Sequence, residues 1–141
     1  MNTKKFTMVL AVLTLVLVQL ACAFGGGEPT LSNSRTAYDQ DGVQAASTFG
    51  AFDTVFVVSD LKNGAAGNVV TSRWYAQNVD GLDPNYFLDE ADINVTEADA
   101  PFNGVIYFYF QPPTGGWPSG TYKVEVLFNG VLSDTVAFNI Q

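Results

Sequence analysis

Histidine is missing from this 141-residue chain, and cysteine occurs once. Without histidine there is no imidazole to act as general base in a nucleophilic triad, and none to ligate zinc. A single cysteine cannot close an intramolecular disulfide. Basic residues are scarce as well: six Lys and Arg stand against fourteen Asp and Glu, a net charge of −8. Two of the six are Lys4 and Lys5; without them four basic residues face fourteen acidic ones and the net charge is −10. Such a surface repels phosphate backbones, so nucleic acid is not an expected partner. Charged residues make up only 14% of the chain, against roughly 25% in ordinary soluble domains. Phosphate-binding glycine loops and nucleophile elbows are also missing. From residue 35 onward no ten-residue stretch has a helical apolar period.

What is present begins with a leader. Lys4 and Lys5 precede an apolar run from Phe6 to Leu20, and Ala21-Cys22-Ala23 follows. A positive start, an apolar middle and a small-residue exit are the parts of a secretory signal peptide. The apolar run is shorter than the roughly 20 residues of a membrane span. Leu20-Ala21-Cys22 resembles the lipobox of bacterial lipoproteins, although Gln19 and Leu20 stand where that family prefers leucine and a small residue. The resemblance implies cleavage before Cys22, acylation of its thiol and anchorage to the membrane through that lipid. Ala21-x-Ala23 also fits an ordinary cleavage site, which would release a secreted chain beginning at Phe24. The expected layout is a signal peptide with its helix over 1–21, a lipidated Cys22 and flexible Gly-rich linker over 22–34, and one domain over 35–141.

That domain has the pattern of an antiparallel sandwich of about seven strands. Strands are expected over 36–40, 43–49, 52–58, 68–77, 86–88, 93–95, 102–111, 120–128 and 131–140. Loops fall at Lys62–Gly67, Asp80–Asn85 and Gln111–Pro118, where glycine, proline and asparagine gather. Residues 102–111 are apolar at every second position in both phases, which suggests a strand at the centre of a sheet. The last two strands carry their apolar residues at even positions. A two-residue turn at Asn129-Gly130 would set even against odd, so a three-residue loop, Phe128-Asn129-Gly130, is expected instead.

Trp74 sits mid-strand among apolar neighbours, and Ser119-Gly120-Thr121-Tyr122-Lys123-Val124 opens the penultimate strand. Together they resemble the immunoglobulin-like domains of bacterial cell-envelope proteins, over about residues 50–141. The resemblance implies a Trp packed between two sheets and a tyrosine corner at Tyr122. Val124 replaces the cysteine of that motif. Fold alone does not fix a ligand.

Chemistry is sparse. Paired carboxylates are the one catalytic option left, and Asp89, Glu90 and Asp92 read as solvated turn acids rather than a catalytic pair. We therefore expect no enzymatic activity, no cofactor and no metal. Half of the acids, from Asp80 to Asp99, form a charged stretch that protects sheet edges; calcium is the alternative, without any EF-hand spacing. Trp117, between Gly116 and Pro118, is a candidate for contact with a sugar ring or a partner pocket, although it fits better a residue folded over the sandwich end. Tyr107 and Tyr109 alternate with Ile106, Phe108 and Phe110, so one of these sets forms a candidate docking stripe. The expected function is a membrane-tethered, non-enzymatic binding or structural module of the cell envelope, with an envelope protein or glycan as partner. The alternative is a secreted carbohydrate-binding module that uses loop aromatics.

Overall fold

The computed structural model describes residues 26–141. The leader helix, Cys22 and its flanking residues up to 25 lie outside the described residues. Eight strands follow in order: β1 (Thr30–Ala37), β2 (Thr48–Phe49), β3 (Val55–Gly64), β4 (Val69–Val79), β5 (Tyr86–Asn94), β6 (Phe102–Phe110), β7 (Gly120–Phe128) and β8 (Val131–Ile140). Among the described residues there is no helix. The strands form a three-stranded sheet, β1-β3-β6, and a five-stranded sheet, β2-β8-β7-β4-β5, in which only the short β2–β8 pairing is parallel.

Period-two alternation builds the core. Val70, Ser72, Trp74 and Ala76 point inward from β4, and all four are buried. Tyr122, Val124 and Val126 do the same from β7, opposite Val55, Val57 and Leu61 of β3. Trp74 packs edge-on against Phe110 and Phe138, with ring centroids 5.6 and 6.2 Å away. Its indole N–H donates to Ser72 Oγ at 3.1 Å, so neither buried polar group is left unpaired. Tyr122 stacks on Phe138 at 5.3 Å, and its hydroxyl donates to the Pro118 carbonyl at 2.7 Å. That is a tyrosine corner at the start of β7.

Four expectations are corrected. First, β1 begins at Thr30, inside the stretch expected as linker, and Leu31 packs against the core. Second, 86–88 and 93–95 are one continuous strand, β5, because Asp89, Glu90 and Asp92 sit on a sheet edge where charge is tolerated. Third, β6 is an edge strand of its sheet, not a central one. Fourth, the β7–β8 hairpin has a two-residue turn: Phe128 pairs with Val131 across Asn129 (φ 49) and Gly130 (φ 79). Both central residues are left-handed, as a type I′ turn requires. The parity mismatch is absorbed farther along. Leu127 pairs with Leu132 but Val126 with Asp134, so Ser133 is the extra residue of a bulge. Beyond it Val124 meets Val136 and Tyr122 meets Phe138, both even sets on one face.

The chain enters at the end of the sandwich that holds the β3–β4 loop. Gly26, Gly27 and Pro29 border a hollow shared with Asn63, Ala65, Ala66, Ala100 and Pro101. The 111–119 connection lies at the opposite end, where Trp117 N–H donates to the Ala51 carbonyl at 2.7 Å.

A candidate binding cleft between the two sheet edges

β5 ends the five-stranded sheet and β6 ends the three-stranded one, on the same side of the molecule. Among the described residues no strand closes the gap between them. Inner-face residues of β5 are consequently uncovered: Asp89 and Ala91, in register with Trp74 and Ser72, are exposed. The result is a cleft of about 470 Å³ with Trp74 and Ser72 at its base. Ala91 and Ile93 of β5 form one wall, and Ile106 and Phe108 of β6 the other. Val95 and Phe102 narrow one end. The surface is mainly apolar, with Asp89, Asp92 and Asp99 along the acidic side. Among the described residues no Lys or Arg lines it. A second hollow of about 330 Å³ continues past Leu88 toward Trp117 and Pro118. Pockets of this kind, apolar with a few polar groups, are the usual form of ligand sites.

The predicted contact residues separate. Tyr107 and Tyr109 point outward from β6, 39% and 57% exposed. Phe56 of β3 joins them, with its ring 6.1 Å from Tyr107 and 5.9 Å from Tyr109. The candidate docking stripe is therefore the tyrosine set, while Ile106 and Phe108 face the core. Trp117 is not a surface contact. It is 6% exposed, stands edge-on to Phe110 and Tyr122 at 5.1 and 5.4 Å, and donates its indole N–H to the Asp53 carbonyl at 2.9 Å. Burying the ring and satisfying its one donor stabilises the fold more than exposing it would. Trp117 thus plugs the end of the sandwich.

The Asp80–Asp99 acids do not converge. Among the described residues no group of three His, Cys, Asp or Glu is placed to hold a metal. Glu90 pairs with Arg73 on the outer face, and this pair raises the Arg73 pKa above its ordinary value. Asp92 accepts from Thr71 Oγ1, and Asp99 from Thr96 Oγ1, both at 2.5 Å. On β3, Asn33 and then Arg35 hold the Asp60 carboxyl below its ordinary pKa by donating to it.

Sequence patterning missed the cleft itself. Its walls come from strands far apart in the chain, and Ala91 and Ser72 carry no functional signature. The available signal was β6, apolar in both phases although one of its faces is open.

No family model matches the chain, and no curated protein does. Solved structures do. An immunoglobulin-like protein of Pseudomonas aeruginosa superposes with a TM-score of 0.52 at 11% identity, over 82% of this chain and 98% of that one. The fold is immunoglobulin-like. A β-glucosidase of Erythrobacter marinus also aligns, with a TM-score of 0.51 at 13% identity, over 84% of this chain but only 16% of the enzyme. An alkylpurine DNA glycosylase of Pseudomonas fluorescens gives 0.48 at 13% identity, over 82% of this chain and 31% of that one. This chain thus spans a minor part of the enzymes it resembles and nearly the whole of the immunoglobulin-like protein. At these identities the likeness is one of fold. Within the immunoglobulin-like frame, β6 and β5 are the two edges that flank the open side.

Proposed function

We propose that the protein is exported, anchored to the membrane by lipid on Cys22, and acts as a non-enzymatic binding module of the cell envelope. The leader, with Cys22 at its exit, supports export and anchorage. The observation that carries the binding role is the cleft between β5 and β6, where the core side of the sheet opens to solvent beside Trp74. An apolar opening of this size costs stability unless something occupies it. The domain offers neither histidine nor thiol, and its carboxylates are spread over both faces of β5 and the neighbouring loops. Binding is the chemistry this surface supports.

The anchor is tested by the intact mass of the mature protein from the membrane fraction, beside a Cys22→Ala variant. A mass equal to residues 22–141 plus acyl chains, with the variant unprocessed, is expected. A soluble chain beginning at Phe24 sinks the anchor. The binding role is tested by placing a photo-crosslinking amino acid at position 91 in living cells. A discrete adduct is expected there and none from position 135, on the exposed part of β8. Equal labelling at both positions, or none at 91, argues against the cleft.

A carbohydrate-binding reading keeps Tyr107, Tyr109 and Phe56 as a stacking surface but loses Trp117, which is buried. Glycan-array binding that disappears with Tyr109→Ala would favour it.

A further inference from the structure

The two sheets expose four edges, and three of them are blunted. β1 is bulged between Ser32 and Arg35, with Asn33 at φ 55. β2 has two residues. β5 bears Asp89, Glu90 and Asp92, and its ladder shifts register opposite Trp74 and Tyr75. Bulges, brevity and charge are the means by which edges avoid pairing with other chains. β6 is neither short nor charged, and the one irregularity in its ladder, between Leu61 and Gly64 of β3, lies at its first residues. It reads Phe-Asn-Gly-Val-Ile-Tyr-Phe-Tyr-Phe, without charge or proline. Its ladder with β3 keeps one register from Val55↔Phe110 to Leu61↔Gly104. Among the described residues no strand pairs with the alternate N–H and C=O groups along its outer edge. A long, flat, apolar edge of this kind is a template for another strand.

The cleft lies directly beside that edge. A strand hydrogen-bonded to β6 would extend the three-stranded sheet across the opening. Its side chains would alternate, one set entering the cleft above Trp74 and Ala91, the other lying outside next to Tyr107 and Tyr109. Backbone pairing would supply affinity, and the cleft would supply side-chain selectivity. Charge decides what that strand belongs to. Asp89 and Asp99 border the cleft, with no Lys or Arg among the described residues that line it, on a chain of net charge −8. Two copies joined through β6 would bring these carboxylates together, whereas a cationic segment neutralises them.

Resting on the binding role argued above, we infer that β6 takes up an extended cationic peptide segment of a partner protein by strand addition, with apolar side chains seated over Trp74.

The test uses the mature protein and labelled peptides of about twelve residues that alternate valine or threonine with lysine. Controls carry glutamate for lysine, or N-methyl groups on alternate backbone nitrogens. Ala91→Trp fills the cleft from an exposed position. Asp89→Asn with Asp99→Asn removes charge without touching the core. The lysine peptide is expected to bind saturably and at least about tenfold more tightly than the glutamate peptide, with affinity falling as salt rises. It should also slow amide hydrogen exchange within residues 102–110. Ala91→Trp should weaken binding about tenfold or more, and the double Asn variant should erase the preference for lysine. Binding that survives N-methylation without protecting 102–110 overturns strand addition and leaves the cleft as a site. Equal affinity for lysine and glutamate peptides overturns the cationic partner. No peptide binding, with self-association that protects 102–110, overturns it in favour of a second copy. No peptide binding together with a position-91 adduct in cells overturns the inference and spares the broader role.

Discussion

Replacing Tyr122 with Phe removes one oxygen from the start of β7 and leaves the ring on Phe138. The lost hydroxyl donates to the Pro118 carbonyl at 2.7 Å, and Tyr122 is 2% exposed. A hydrogen bond of this kind contributes about 1 kcal/mol net, and stranding its acceptor adds to the loss, so Tyr122→Phe should cost about 1–2 kcal/mol. In a domain of this size that lowers the thermal midpoint by roughly 4–8 °C. The same substitution carries a pH signature. Burial raises the Tyr122 phenol above its ordinary value of 10.0. Between that value and the folded pKa, the unfolded chain gives up a proton that the folded chain keeps. The stabilisation is therefore whole below about pH 10 and falls as pH climbs toward the folded pKa. Urea unfolding followed by tryptophan fluorescence, at pH 7 and in steps up to pH 11, reads both effects. Tyr75, raised first by desolvation and then by Glu125, stays in both proteins, so the difference between them isolates Tyr122. Two results refute the argument: a midpoint at pH 7 indistinguishable from wild type, or an alkaline decline just as steep without the phenol.

Two more substitutions probe the frame. Gly120 has φ 148, and a Cβ there would lie 2.6 Å from the Asn78 carbonyl oxygen and 2.9 Å from Val79 Cγ2. Gly120→Ala should destabilise by about 2–4 kcal/mol in urea unfolding, since backbone strain and a clash add; a loss under about 0.5 kcal/mol would mean that β4 yields easily. Trp117→Ala removes a buried ring and should cost about 3–5 kcal/mol, so its calorimetric midpoint should collapse before any binding assay is meaningful. A stable Trp117→Ala protein that has lost glycan binding would restore the exposed-contact role.

Much of the fold was legible because its signals are local. Trp74 on an alternating strand and Gly120-Thr121-Tyr122 at a strand start each imply one packing arrangement, and both are present. Other features depend on partners that are distant in sequence. The strand expected from Phe52 begins at Val55, and Phe52 is 74% exposed. Asp53 ties off a turn there, accepting from Gly50 N–H at 2.6 Å and donating its own N–H to the Gly50 carbonyl. The bulge at Ser133 hides from a parity argument, because one extra residue restores the phase that the tight turn breaks. β6 looks central because both of its phases are apolar, yet its outer phase rests on Phe56 alone among aromatic neighbours and otherwise meets solvent. Apolar periodicity reports what a strand prefers to touch, not whether a neighbour has arrived. The cleft follows from that gap: its tyrosines were visible in sequence, and its walls were not.

In the proposed anchored form, the point at which the chain enters the sandwich would set which end of the domain faces the membrane. Gly26 and Gly27 border a hollow shared with Ala65, Ala66, Ala100 and Pro101, at the end where β6 begins. From Cys22 to Gly26 the backbone reaches at most about 14 Å. Were Cys22 lipidated as proposed, that end would be moored within a few residues of the bilayer, and the Trp117 end would lie away from it. The cleft, on the side of the sandwich, would then face along the membrane rather than toward it. A segment joined to β6 would have to approach in the plane of the envelope, with one terminus close to the lipid. Partners that share the same membrane would meet that geometry more readily than those arriving from bulk solution.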